Sequence, residues 1–477
     1  MSVGQSADSP FAHISRNSNN AAGSRNIQYV AQHQTIHNTS TAPSKFDHCN
    51  GHLFLTDSAI HRDKVILKNG QRTTGTCNWI TRSAKYRAWT GGPPSLLWIW
   101  GGPGKGKTML SIFLTQTLLQ AEDTTLLFYF CSAEYETRKG AAAVLRSRLW
   151  QLLIHDRELA EVMSPYFIPA DHAKDVLQSP QTLFNMFVLV IAGTRHARIT
   201  RLVDALDECD HESQSWLADK FRDLNTAFGT SRLWLIIISR KITEFGTVPQ
   251  INLDAHAREV SSDVKSFIAI KVTELAKNLQ LDLQQCQQIE ATLLDRSGDT
   301  FLWAGFAVAE LVRQKTLTQV MDTLQALPAG LDAVYARMLN NIDQRYSERA
   351  AHVLQWVCLA ARPLTLQKLS LTFEDSGVAR HSTIASVKDI VAICGSILLI
   401  TNGLNFIDVQ DHEASAVRDS ADYWSQTVVM LVHESARSFL LTRSVGDDGI
   451  SELLHFTAET GHASYRSPGA THYRPTL

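Results

Sequence analysis

Apolar residues fall along this chain in two rhythms, and the change from one to the other near residue 255 divides it. Before that point, short unbroken apolar runs alternate with amphipathic stretches. SLLWIWGG from Ser95 is followed by the glycine-rich GPGKGKT and then by MLSIFLTQTLLQ, and TTLLFYFCS precedes GAAAVLRSRLWQLLI. Two more runs, ITRLVDALDE and RLWLIIISR, follow with helical spacing between them. Short continuous apolar runs suit strands buried on both faces, and a 3.6-residue spacing is that of helices. Strands alternating with helices predict an α/β fold with a parallel sheet covered on both sides, here over residues 95–254. Thr200 and Arg201 break the apolar character of the third run. They predict an imperfect sheet at that place.

Past 255 helical periodicity takes over in DVKSFIAIKVTELAKNL, FLWAGFAVAELVRQ and GLDAVYARMLNNI. A helical domain is predicted over 255–345. From 346 to 445 the pattern changes again, to helices VLQWVCLAA and TLQKLSLTF, short apolar runs SILLI and VVMLV, and a last helix ESARSFLL. Helices followed by a small hairpin suit a winged helix. Upstream, residues 46–94 have helix-like spacing around Trp79, Ile80, Tyr86 and Trp89 before a GGPP break, a helical lead-in. Residues 1–45 carry one acid, Asp8, and are rich in Ser, Asn, Gln, Thr and His, a composition too poor in apolar side chains to offset ordering entropy. This segment is predicted to be disordered, with Ile27 to Val30 its only β-favouring cluster. Residues 446–477 lose periodicity and read as an irregular tail, and no internal repeat of solenoid or propeller period is found.

Composition narrows this picture. At 477 residues the chain exceeds one hydrophobic core, which predicts several domains, and 44% hydrophobic with 19% charged residues is ordinary for a globular protein. A net charge of −2 provides no general field for a polyanion, so nucleic acid is not an expected partner. The seven cysteines are scattered without C-x-x-C spacing and indicate neither a disulfide framework nor a zinc site. The longest apolar run, MFVLVIA from Met186, is too short to span a bilayer, and the N-terminus lacks a signal pattern. A cytoplasmic protein is expected.

One motif carries chemistry. Gly101, Gly106, Lys107 and Thr108 satisfy G-x-x-x-x-G-K-[ST], in which glycines let backbone N–H groups close around phosphate, the lysine reaches the β and γ oxygens, and the hydroxyl ligates Mg²⁺. The loop Gly101, Gly102, Pro103, Gly104, Lys105, Gly106, Lys107, Thr108 sits between a predicted strand and a predicted helix, whose N-terminal dipole adds to the anion site. Asp204 ends the run ITRLV and suits the carboxylate that supports Mg²⁺ in such sites. Asp207 and Glu208 are candidates for orienting an attacking water, although acids also favour a helix start. Arg240 follows LWLIIIS, at the carboxyl edge of the sheet where open α/β folds bind ligands.

Taken together, these stretches resemble the NACHT family of signal-transducing P-loop NTPases, in particular fungal members of the NOD-like receptor and heterokaryon-incompatibility type. WIWGGPGKGKTML is similar to the family's phosphate loop, FYFCSAEYETRKGAAAVLR to its second strand and helix, DALDEC to its acidic strand end and IIISRK to its sensor strand. GDTFLWAGFAVAEL and LPAGLDAVYARML are similar to its helical domain, ARPLTLQKL, CGSILLI and LVHESARSFLL to its winged helix, and TTGTCNWITRSAKYRAW to the segment that precedes the NTPase. The resemblance implies a switch that is closed with ADP or GDP, binds ATP or GTP with Mg²⁺, hydrolyses it slowly and oligomerises when activated, acting on an effector in non-self recognition or programmed cell death. It implies that Arg240 senses the γ-phosphate and that His433 touches the diphosphate of the closed state. A continuously cycling ATPase that remodels a substrate, and a scaffold that keeps nucleotide for structure, are the alternatives.

Overall fold

A computed structural model describes residues 44–442, apart from 122–123, 134–135, 169, 228–231, 243–244, 246–247, 361–362, 377–383, 402–405 and 408–426. The polar leader and the irregular tail read from the sequence lie outside the described residues, except for Ser44 and Lys45.

The first apolar run forms β1 (Leu96–Trp100), the second β2 (Thr125–Phe130), the third β3 (Ile199–Asp204) and the fourth β4 (Leu233–Ser239). A fifth strand, β5 (Gln250–Asn252), is too short to leave an apolar run and was not expected. The strands pair in the order β2-β3-β4-β1-β5, every pair parallel. Parallel neighbours cannot be joined by a hairpin, and β2 to β3 and β3 to β4 are each joined by a crossover containing helices.

Side chains alternate between two cores, as the two-residue period of a strand requires. Leu96, Trp98, Leu127, Tyr129, Val203 and Leu235 face the helices Ala141–His155 and Pro180–Gly193. Leu97, Ile99, Leu126, Leu202, Ile236 and Ile238 face the helix Lys107–Leu119 and continue into Val264, Ile268 and Trp303 of the following helical segment. Burying each such Leu or Ile contributes roughly 1.5–3 kcal/mol. The second core is therefore common to the sheet and the helices after residue 255.

Strand β3 corrects one expectation. Thr200 and Arg201 do not disturb it: all six residues are buried and each pairs with both β2 and β4. A central strand is held by backbone ladders on both edges, so the polar character of two side chains does not decide its regularity. Arg201 is instead taken into the core beneath aromatic rings.

The apolar run from Met186 lies in the helix Pro180–Gly193, which starts with a capping hydrogen bond from Thr182 N–H to Ser179 Oγ and with proline in its first turn. Among the described residues no single helix is long and apolar enough to cross a membrane.

Upstream, the helices Lys45–Leu53, Ser58–Asn69, Asn78–Arg82 and Ala84–Gly91 pack into the sheet's cores through Cys49 and Leu53 on one face and Ile80, Tyr86 and Trp89 on the other. Downstream, the helices Ala257–Leu279, Leu283–Arg296, Phe301–Val312, Leu317–Ala326 and Leu331–Asn340 follow in succession. A third core gathers Tyr335, Leu354, Leu369, Val391, Ile400, Val429 and Leu440. Around it stand the helices Ser347–Leu359, Leu366–Ser376, Ile384–Ile393 and Glu434–Thr442. A second sheet completes it, antiparallel in the order β6 (Leu364–Thr365), β9 (Val428–Leu431), β7 (Leu398–Thr401), β8 (Phe406–Ile407). Four strands thus stand where the sequence pattern indicated two.

Candidate functional site

Three strands end level with one another. Trp100 of β1 pairs with Ser239 of β4, and Ile238 of β4 with Asp204 of β3. Because β4 lies between β1 and β3, Arg240 leaves the sheet between the loop that starts at Gly101 and the carboxylate of Asp204. Residues far apart in sequence are thereby brought to a single carboxyl edge.

The loop at this edge needs its glycines. Gly104 and Gly106 have φ of +71° and +79°, which L side chains rarely adopt. A Cβ at Gly106 would lie 3.0 Å from the Phe301 ring, and one at Gly104 would lie 3.1 Å from Leu302 Cβ. Lys107 begins the following helix, and its Nζ donates to the carbonyls of Gly101 at 2.9 Å and Gly102 at 2.7 Å. The lysine thus folds back across the loop, and among the described residues it has no carboxylate in ion-pair contact. Burial lowers its pKa, while the nearby charge of Asp207 opposes the shift and that of Arg240 adds to it. Thr108 follows in the first helical turn.

Asp204 ends β3 with 2% of its surface exposed, and Ser111 Oγ donates to its Oδ1 at 2.6 Å. Burial pushes its carboxyl up to about 6, and Asp207 pushes the same way, against the hydrogen bond from Ser111 and the charge of Lys107. Ala205 then turns the chain with φ +54°, a left-handed value that is strained for a residue with a side chain. That turn places Asp207 against Arg240, whose backbone N–H donates to Asp207 Oδ1 at 2.9 Å and whose Nε stands 3.4 Å from Oδ2. Glu208 points elsewhere, accepting from the backbone N–H of Ala133 at 3.3 Å.

The last described helix, Glu434–Thr442, meets the same edge. Arg240 Nη1 donates to Ser438 Oγ at 3.2 Å. His433, just before that helix, accepts the backbone N–H of Ser435 at Nδ1, 3.0 Å away, so the proton of the neutral ring sits on Nε2. Ser435 Oγ is 2.7 Å from Nδ1 and also 2.7 Å from Tyr335 Oη, which ties the imidazole to the helix Leu331–Asn340. Burial pushes His433 down to about 4, and the next causes are the positive charges of Arg240 and Lys107, which shows that the ring lies in the field of the phosphate loop.

Several contacts at this site had no sequence signal. Asp254, just beyond the unexpected β5, accepts the N–H of Gly102 at both oxygens, 3.2 and 3.0 Å away. The Phe301 N–H donates to Gly104 O at 2.8 Å. Lys105 Nζ donates to the carbonyls of Gly298 and Asp299, so its side chain turns to the helical segment. Backbone carbonyls and a lone aspartate leave no recognisable pattern.

Residues 75–240 match the family model described as Nephrocystin 3, N-terminal. The vegetative incompatibility protein HET-E-1 of Podospora anserina is 28% identical over 413 residues, 83% of this chain and 28% of its own length. The chain is similar in sequence to NACHT-type P-loop NTPases. The azaphilone pigments biosynthesis cluster protein L of Monascus ruber is 31% identical over 108 residues, 20% of this chain and 22% of its own. The chain thus spans less than a third of the length of either relative. Among solved structures, a Walker-type ATPase of Pyrococcus abyssi covers 78% of this chain and 98% of its own at 9% identity and TM-score 0.34. Cdc6p of Pyrobaculum aerophilum covers 82% and 96% at 10% identity and TM-score 0.28.

Proposed function

We propose that this chain is a nucleotide-controlled signalling switch, closed around ADP or GDP and opened by exchange for ATP or GTP, acting in the cytoplasm in non-self recognition or programmed cell death. The observation that carries this is the docking of the last helix on the phosphate edge, through Arg240 to Ser438 and through His433 in the field of Lys107 and Arg240. A helix held there can respond to whatever occupies the loop.

In this proposal residues 95–254 are the NTPase domain, 255–345 a helical domain and 346–445 a winged helix. The loop from Gly101 to Thr108 holds the phosphates, with Lys107 leaving its two carbonyl partners for β and γ oxygens. The residues fit Mg²⁺: Thr108 offers a hydroxyl, and Asp204 is a buried carboxylate whose raised pKa reflects a charge that burial leaves under-compensated. Bound Mg²⁺ would neutralise phosphate charge and polarise the terminal phosphoryl group. Of the two acids read from the sequence, Asp207, steered by Arg240, is the candidate group for orienting water, and Glu208 is turned to Ala133. Arg240 senses the γ-phosphate, because a second anionic group near its guanidinium competes with the Asp207 carboxylate and the Ser438 hydroxyl for its donors. His433 contributes a neutral Nε2–H donor to the diphosphate.

Mass spectrometry of the nucleotide released from purified full-length protein tests the assignment. Tightly held diphosphate with slow turnover supports a switch. Continuous fast turnover would point to a remodelling ATPase, and nucleotide retained without any effect on oligomeric state would point to a scaffold.

A further inference from the structure

On the face of the sheet opposite the helix that follows the phosphate loop, two arginines are buried without a hydrogen-bonding partner among the described residues. Arg148, on the helix Ala141–His155, and Arg201, on β3, are each 0% exposed. Among the described residues none of the six guanidinium nitrogens has a hydrogen-bond partner. Both guanidinia stand over the ring of Phe221, with Cζ 4.6 Å from its centroid for Arg148 and 5.8 Å for Arg201, and Arg201 is also 5.9 Å from the centre of Phe187. The two cations therefore share one pocket of side chains.

Such an arrangement is costly as it stands. An uncompensated buried charge is penalised by several kcal/mol, and arginine does not readily escape by losing its proton. Burial brings Arg201 down to about 9, which leaves it charged at neutral pH. Burial and the charge of Arg201 also push Arg148 well down, against the opposing effect of Cys131. Stacking on aromatic faces offsets part of the penalty but leaves the N–H donors unsatisfied.

We infer that Arg148 and Arg201 form an interior binding site for a small monovalent anion of halide size. The donor set favours an anion because every free group is a cationic N–H donor. Small size follows from the surroundings, since Phe187, Leu149, Leu152, Val203 and Phe221 are packed at 0–1% exposure in the same core. Arg201 is three residues from Asp204 on the same strand and therefore points to the other face, so this site is separate from the nucleotide edge. Anion occupancy would tie the helix Ala141–His155 to the central strand.

The test is thermal unfolding of the full-length chain as chloride or bromide replaces gluconate at constant ionic strength. The midpoint should rise by a few degrees and saturate, as expected of a ligand that binds the folded state. Arg201→Leu should remove the halide dependence, whereas Arg195→Ala, at an exposed arginine, should keep it. Crystals grown in bromide should show an anomalous peak between the two guanidinia. A midpoint indifferent to halide, an undiminished halide dependence in Arg201→Leu, or a bromide-soaked crystal with only water at the pair would overturn the inference. If Arg201→Leu does not fold, the wild-type titration and bromide map still decide it.

Discussion

Asp204 and Arg201 are buried charges on one strand, three residues apart, with opposite surroundings. Asp204 has Ser111 as donor, Lys107 as a nearby cation and Asp207 as a competing anion, and its carboxyl is held at about 6. Arg201 has aromatic rings and a second cation. The difference teaches how a buried charge is kept at a site open to ligand and how it is kept in a closed core. At the sheet edge, partners of both signs leave the balance to be set by what enters. In the core, among the described residues, aromatic faces and a second cation surround the charge and leave its N–H donors unmet. His61 represents a third solution: it is 5% exposed, against the ring of Phe130, and burial pushes it down to about 3, so it enters the core neutral.

The sharpest way to break this comparison is Lys107→Ala. If the edge is a phosphate site, losing a charge-assisted contact should weaken triphosphate binding about 10- to 150-fold, measured by titration calorimetry. Unchanged affinity would make the edge charges structural. His433→Ala comes next, since removing a hydrogen bond to charged phosphate should shift the closed-to-open population by roughly one to two orders of magnitude. With triphosphate this variant should elute as a larger assembly than wild type at equal concentration. A destabilised monomer would leave His433 a packing residue.

On the core side, Arg201→Leu in halide-free buffer should raise the urea midpoint, with a gain on the order of 1 kcal/mol or more from removing an unpaired buried cation. A large loss of stability would mean that the arginine has compensation of its own. For His61 the effect depends on pH. The unfolded chain takes up a proton as the pH falls through the ordinary histidine value of 6.5, but the folded chain does not until about 3. Stability is then lost across that window by about 1.4 kcal/mol for each pH unit. His61→Leu should flatten this slope in urea titrations between pH 6.5 and 5, while an unchanged slope would place the proton uptake elsewhere. The smallest effect is expected from Ser438→Ala, which removes one neutral acceptor from Arg240 and should speed nucleotide exchange by about five-fold, near 1 kcal/mol. Stopped-flow release of a fluorescent nucleotide measures it.

The sequence by itself determined the local chemistry. The phosphate loop is legible because its glycines, lysine and threonine are adjacent, and their roles need only a strand before and a helix after. Four of the five parallel strands are legible because burial on both faces demands unbroken apolar runs. Only the tertiary structure decided what lies beside that chemistry. Strand order put Arg240 between Asp204 and the loop, a parallel strand of three residues carried Asp254 to Gly102, and the turn before Phe301 closed on Gly104 through backbone atoms that have no side-chain signature. Arg201 marks the same boundary from the other side. Its charge suggested an imperfect sheet, but the ladders on both edges of β3 kept the backbone regular and sent the guanidinium into the core beside Arg148, a juxtaposition made by packing a helix on the sheet rather than by any pattern along the chain.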